Sequence, residues 1–223
     1  MNPATPPSDP ELLAAARELR AGPIPEDAVP MLRQIIALAR SPAWSEAHVE
    51  LSVHHFSRGE YELSAEHAGN VLQGRQELVS DRARAIAGIM FCEARCSSDQ
   101  DVDDDLLWRS AEACLNVQEP RYAAIGFEAL GHEKTTVDPR GAREYLERAF
   151  QLFVDSGDRR APIRVLMNLA RFSLDQGNLD EALVYRDRAM ALVAEFPPHR
   201  VGRLLEQQLQ KLQDAIAKEG TDA

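Results

Sequence analysis

The sequence predicts an all-α fold built from antiparallel helix hairpins. Apolar residues recur with helical spacing in successive segments of helix length, and no segment alternates polar and apolar residues for long enough to form a strand. Alanine, leucine, arginine and glutamate dominate the composition, and all four favour helices. Aromatic residues make up only 6% of the chain and β-branched residues are sparse, so a sheet is disfavoured.

Glycine and proline mark the ends of the predicted helices. The breaks are Gly22-Pro23 with Pro25, Ser41-Pro42, Gly59, Pro120, Asp138-Pro139, Gly157, Gly177 and Pro197-Pro198. The sequence as a whole predicts about 11 helices of ordinary length. The second helices of the hairpins are expected to begin near Tyr61, Asp104, Pro139 and Leu179.

The clearest hairpin runs from about Ala161 to Glu195. Its first helix carries an apolar stripe, and Gly177-Asn178 separates it from the second helix. Small residues at Ala170, Ala182 and Ala189 allow the two helices to approach closely.

This hairpin resembles the tetratricopeptide repeat (TPR). The matching positions are Leu169, Ala170, Gly177, Ala182 and Ala189, which have that motif's order and separations. Ser173 departs from the pattern, because an aromatic residue is usual there. Diverged copies lie upstream, at Leu51, Ser52, Gly59, Ser64 and Val71, at Ala87-Gly88 with Ala111, and at Ala142 with Ala149. The repeats are longer than the standard one of about 34 residues, like those of bacterial regulatory proteins.

The resemblance covers roughly residues 43–196 and implies an α-solenoid of stacked hairpins. We expect one repeat domain over residues 9–218, in which residues 9–40 add a degenerate hairpin. The segment from about His199 to Lys218 would be a C-terminal capping helix. Residues 1–8 and 219–223 are expected to be disordered tails.

The resemblance also implies a concave groove, lined by the first helices, that binds a protein or peptide partner. Its side chains would be Arg164, Met167, Asn168 and Arg171 in the best repeat, Arg82, Ile89 and Glu93 in the second, and Glu46, Glu50, Val53 and Ser57 in the first. Amide and guanidinium groups suit a carboxylate or a peptide backbone. The alternative is that these positions form a solvated helix face.

Two residue clusters have the composition of metal sites but not the spacing. His48, His54 and His55 lie close together with His67 on the following helix, yet they match no metal motif and are interpreted as packing or surface residues. The run from Asp99 to Asp105 resembles a calcium loop, but Asp104 stands where glycine is needed. Capping of the next helix by Asp103 or Asp104 is the simpler interpretation.

The cysteines and the C-terminal leucines each leave two interpretations open. Cys92, Cys96 and Cys114 are expected to be small buried side chains, with a redox or metal role as the alternative. Leu205, Leu209, Leu212 and Ile216 form an apolar seam about two heptads long. That seam would close the solenoid or, alternatively, form a homodimer contact.

Charge and motifs narrow the classes of function. The net charge of −11 disfavours a nucleic-acid partner. No apolar run reaches membrane-spanning length, and no secretory signal is recognisable, so we expect a cytoplasmic protein with reduced thiols. The preference for arginine over lysine, together with abundant alanine, is typical of a GC-rich bacterial genome. No phosphate loop, nucleophile elbow or Cys/His catalytic arrangement is recognisable, and no cofactor is implied.

These observations favour a non-catalytic interaction module, an adaptor or scaffold that holds a peptide or protein. One alternative is a regulatory sensor that responds to a signal peptide or small ligand. The other is a structural homodimer built through the C-terminal helix. An enzyme is the least favoured class.

Overall fold

The computed structural model of the protein describes residues 28–196 continuously. It also describes Ser8, Glu11, Ala14, Gln207, Gln210, Lys211, Gln213, Asp214, Ile216 and Ala217. The described residues form nine α-helices and one 3-10 helix, with no strand among them, which confirms the all-α prediction. The predicted number of about 11 helices is not confirmed. Much of the expected hairpin over residues 9–40, most of the capping helix and the two predicted tails, Ser8 excepted, lie outside the described residues.

The helices follow one another with short connections. They are α1 (Ala28–Leu38), α2 (Ala43–Ser57), α3 (Tyr61–Leu72), α4 (Asp81–Ser97), α5 (Asp104–Asn116), α6 (Pro120–Lys134), α7 (Pro139–Asp155), α8 (Ala161–Asp175) and α9 (Leu179–Ala194). The 3-10 helix, Gln76–Leu78, lies between α3 and α4. The expected starts at Tyr61, Asp104, Pro139 and Leu179 are confirmed, since each is the first residue of a helix.

The chain divides into two compact units, Met1–Gly126 and Phe127–Ala223. In the first unit α2 packs against α1, α3 and α4, and α4 packs against α3 and α5. In the second unit α8 packs against both α7 and α9. Helices joined by such short turns pack as antiparallel hairpins. The single repeat domain over residues 9–218 stays a prediction.

Aspartate side chains cap the N-termini of α5 and α7. Asp103 accepts a hydrogen bond from the backbone N–H of Leu106 at 3.0 Å, which confirms the capping interpretation of the acidic run. Asp138 likewise accepts from the N–H of Gly141 at 3.0 Å. These caps satisfy backbone donors that a helix leaves without intrahelical partners.

Five of the helices in the described part of the chain are followed by a residue in the left-handed backbone region. Glycine occupies this position at Gly59, Gly157 and Gly177, with φ of 76°, 74° and 72°. Asp99 and Gln118 occupy it after α4 and α5, with φ of 55° and 60°. A residue with a Cβ is disfavoured there, so these two turns are less favourable than the glycine turns.

The first helix of each well-described hairpin is buried on more than one side. In α2 the buried residues include Glu46, His48 and Glu50 as well as apolar ones. In α8 ten of the fifteen residues are buried. Such a helix contacts neighbours on several sides. It therefore has fewer exposed residues than a helix that buries only one apolar stripe.

Candidate binding face

In the second unit, α6 and α8 share a cluster of polar side chains centred on Glu128. Arg164 Nη2 donates to Glu128 Oε2 at 2.5 Å, and Asn168 Nδ2 donates to Glu128 Oε1 at 3.2 Å. Asn168 Nδ2 also lies 3.1 Å from His132 Nε2. The Glu128 side chain is only 9% exposed, whereas those of Arg164 and His132 are 56% and 51% exposed. A buried carboxylate therefore holds the two predicted groove donors at a solvent-accessible edge.

Of the other two predicted groove residues on α8, one lies on the surface and the other in the core. Arg171 is exposed and, seven residues after Arg164, lies on the same side of the helix. Met167 is 4% exposed and belongs to the core. The prediction of Met167 as a groove side chain is therefore corrected, because α8 also buries the side on which Met167 lies.

In the first unit Arg82 on α4 lies between two carboxylates. Its Nη1 donates to Glu46 Oε2 at 2.8 Å, and its Nε donates to Glu119 Oε1. The side chains of Arg82 and Glu46 are 17% and 4% exposed. Burial by itself would lower the pKa of the Arg82 guanidinium, but the carboxylates of Glu46 and Glu119 raise it above its usual value. Arg82 is thus a structural cation between helices.

The other predicted groove residues of the first unit differ in how deeply they are buried. Ile89 is fully buried, where it lies close to Gly126, and its prediction as a groove side chain is corrected. Val53 and Glu93 are half-buried, Glu50 is buried and Ser57 is exposed. The structure brings Glu46 and Arg82 together, and the Glu50 carboxylate also acts on the Arg82 guanidinium.

An open cleft of about 540 Å³ lies on α7 and the turn after α8. Its lining residues are Pro139, Arg140, Arg143, Glu144, Glu147, Phe172, Gln176 and Asn178. The Arg143 guanidinium lies 5.8 Å from the centre of the Phe172 ring and donates to Glu181 Oε1 at 2.5 Å. Arg143 and Glu181 therefore already neutralise each other beside the cleft.

Cys92 and Cys114 are buried, whereas Cys96 is exposed, and none of the three forms a disulfide. Burial raises the pKa of the Cys92 and Cys114 thiols to about 12. Both are therefore protonated and unreactive at neutral pH. In the described part of the chain, no group of three or more His, Cys, Asp or Glu side chains is placed to hold a metal ion.

Of the predicted C-terminal seam, Leu205, Leu209 and Leu212 lie outside the described residues. Ile216 is 4% exposed, and nearby Gln213 Nε2 lies 3.2 Å from Met190 Sδ of α9. Ile216 is thus buried within the second unit.

Glu128 and His132 were missed in the sequence because α6 carries no complete repeat motif. Their spacing from the predicted donors could have indicated them. Arg164 follows Glu128 by 36 residues, which is about one repeat. Among the described helices, none is both long and apolar enough to cross a membrane. No protein-family model matches the chain, and no curated protein matches it.

Proposed function

We propose that the protein is a non-catalytic interaction module, an adaptor or scaffold that binds a peptide or protein partner. Its architecture would be a TPR-like α-solenoid with a C-terminal capping helix. Contacts between alternate helices support this proposal. Arg82 on α4 pairs with Glu46 on α2, and Arg164 on α8 pairs with Glu128 on α6, each across 36 residues. Such lateral stacking of first helices is what a helical repeat requires.

The binding face we propose consists of His132, Arg164, Asn168 and Arg171. The observation that carries it is the way Glu128 fixes Arg164 and Asn168 through hydrogen bonds of 2.5 and 3.2 Å. Donors held in one geometry lose less conformational entropy when a partner binds. The Arg164 side chain is 56% exposed, so the rest of its guanidinium is open to a second acceptor.

The chemistry of this face favours a peptide that presents carbonyl or carboxylate oxygens. Guanidinium groups bind carboxylates through charge-assisted hydrogen bonds, often two at once. Glu128 already neutralises part of the Arg164 charge, so Arg171 supplies the additional positive charge. A few anchors of this kind supply most of the affinity of a typical interface.

The setting we propose is the bacterial cytoplasm, in a regulatory role. Three cysteines without a disulfide are consistent with a reducing compartment. The net charge of −11 does not favour a nucleic-acid partner.

The experiment is selection of random linear peptides, displayed on phage, against the full-length protein. Enriched peptides should bind the wild type in direct titration and lose at least about tenfold in affinity with Arg171→Glu, the loss of about one charge-assisted hydrogen bond. Arg171 has no part in the Glu128 cluster, so this change leaves that cluster intact. Circular dichroism should show that the variant keeps its helix content.

The matched control is Arg140→Glu on α7, which makes the same charge change at a side chain that is 91% exposed. It should leave peptide affinity unchanged. Equal binding by wild type and Arg171→Glu would contradict the proposed face. Loss of binding with Arg140→Glu alone would instead assign peptide recognition to the cleft on α7.

A further inference from the structure

The hairpin of α2 and α3 encloses a cluster of imidazole rings. Four of the six histidines of the chain lie between residues 48 and 67. His48 Nδ1 on α2 and His67 Nδ1 on α3 are 2.9 Å apart. The His55 ring stacks on that of His67, with centroids 5.4 Å apart and planes 6° from parallel. The His48 ring meets the edge of Trp44 at 4.4 Å.

The contact between His48 and His67 constrains how many protons the pair can hold. A hydrogen bond between two Nδ1 atoms requires one of them to carry a proton and the other to present a lone pair. The accepting imidazole is therefore neutral. If both rings became cationic, two N–H groups and two positive charges would face each other across 2.9 Å.

Burial also opposes protonation of His48. His48 and His55 are 4% and 5% exposed, and the Nε2 atoms of both are buried without a hydrogen-bond partner among the described residues. Placing a charged N–H in such a position costs considerably more than placing a neutral nitrogen there. Burial first, and then the charge of His67, lowers the pKa of His48 to about 4. Burial and then the charge of His55 also lower the pKa of His67.

The charged groups around the cluster do not offset this effect at His48. Glu66 favours the protonated form of His67, whereas Arg33 on α1 opposes it. Glu60, at the turn, accepts from His55 Nδ1 at 2.5 Å. The His54 ring lies edge-on to His55 at 5.5 Å. Among the described residues, His67 is the charged group that acts on the pKa of His48, and it lowers it.

We propose that His48 and His67 form a proton-sensitive clasp, which holds α2 against α3 while at most one of the two rings is protonated and loosens the hairpin when both become protonated. Because α2 also packs against α1 and α4, loosening would spread to the first unit. The buried hydrogen bond from Ser52 Oγ to Ser64 O at 2.9 Å joins the same two helices and would be lost with it. The clasp does not depend on peptide binding.

The direction follows from the proton affinities of the two states. An unfolded histidine takes up a proton near pH 6.5, whereas folded His48 does so only near pH 4. The stabilisation is therefore present above about pH 6.5 and is lost progressively as the pH falls toward 4. Between pH 7 and 5, His48 alone raises the unfolding equilibrium constant about 20-fold by this linkage.

The experiment follows urea unfolding of the full-length protein between pH 7 and 5. It uses the Trp108→Phe background, so that Trp44 is the remaining tryptophan and reports on His48 directly. As the pH falls from 7 to 5, the unfolding equilibrium constant of this parent protein should rise by about 20-fold or more. Its Trp44 fluorescence should fall as the adjacent imidazole gains charge. His48→Phe should remove most of this pH dependence, and His67→Gln should reduce it if His48→Phe does not fold.

The matched control is His132→Gln, which removes a half-exposed histidine of the second unit and should keep the full pH dependence. An unchanged pH dependence in both His48→Phe and His67→Gln would overturn the proposal. So would a loss of stability at pH 7 on adding a chelator to the parent protein, since that result would assign the imidazoles to a metal ion.

Discussion

Glu46 on α2 and Arg82 on α4 form an ion pair across 36 residues, with a distance of 2.8 Å from Nη1 to Oε2. Their side chains are 4% and 17% exposed. Removing one partner of such a pair leaves the other charge buried without compensation. We therefore expect Arg82→Met to lower the free energy of unfolding at pH 7 by about 3 kcal/mol, as measured by urea denaturation.

Adding Glu46→Gln to Arg82→Met should recover at least about 1 kcal/mol of that loss, because the uncompensated carboxylate is then gone. Ser80 Oγ, which donates to Glu46 Oε1 at 2.7 Å, keeps an acceptor in the amide. Strictly additive effects of the two changes would show that the pair has no coupling energy.

The close approach of α4 and α5 depends on Gly88. A methyl group at this position would lie 2.8 Å from Ser110 Cβ and closer still to Ser110 Oγ. Gly88→Ala should therefore destabilise the protein by about 2 kcal/mol through overpacking. The control is Gly69→Ala on α3, where the added methyl would meet the Phe91 ring at an ordinary 3.6 Å. There the better helix propensity of alanine should raise stability by about 0.5 kcal/mol, so thermal unfolding should shift in opposite directions for the two variants.

The turn after α5 offers a stabilising change. Gln118 is exposed and has φ of 60°, a conformation that glycine adopts without steric cost. Gln118→Gly should raise the free energy of unfolding by about 0.5 kcal/mol, after the extra freedom of glycine in the unfolded chain is subtracted. The reverse change, Gly177→Ala at φ of 72°, should lower it by about 1 kcal/mol. A loss of stability with Gln118→Gly would contradict this account of the turn.

Thiol reactivity should separate the cysteines sharply. Cys96 is exposed, whereas Cys92 and Cys114 are buried with thiol pKa values raised to about 12. At pH 8 a chromogenic disulfide reagent should react rapidly with Cys96 alone in the native protein. All three thiols should react in denaturant. Cys96→Ser should abolish the rapid phase. Rapid reaction of that variant would show that α4 and α5 open readily.

The hairpin boundaries were predictable because local chemistry sets them. Asp103 and Gly177 each specify a helix end through a cap or a left-handed turn, whatever the surrounding packing. The interior sides of the first helices were not predictable in this way. Ile89 and Met167 would be exposed if their helices buried only one apolar stripe. Both are buried because these helices pack on several sides.

The polar contacts between alternate helices were also beyond sequence reasoning. Glu128 was not among the predicted residues, because its part in fixing Arg164 depends on how α6 lies beside α8. The sequence places His48 and His67 on successive helices, but their 2.9 Å contact depends on the rotation of each helix about its axis. Sequence periodicity fixes that rotation only roughly when a helix is buried on several sides.

The contacts between alternate helices join residues that are close in sequence, and this affects how the chain folds as it is synthesised. The side-chain bonds between alternate helices span 36 to 40 residues, as from Glu46 to Arg82 and from Glu128 to Asn168. Each helix therefore meets its partners soon after it emerges from the ribosome, without waiting for distant segments. Local contacts of this kind favour fast folding and short-lived exposure of apolar surface. Nascent chains should accordingly acquire protease resistance in steps of about one hairpin.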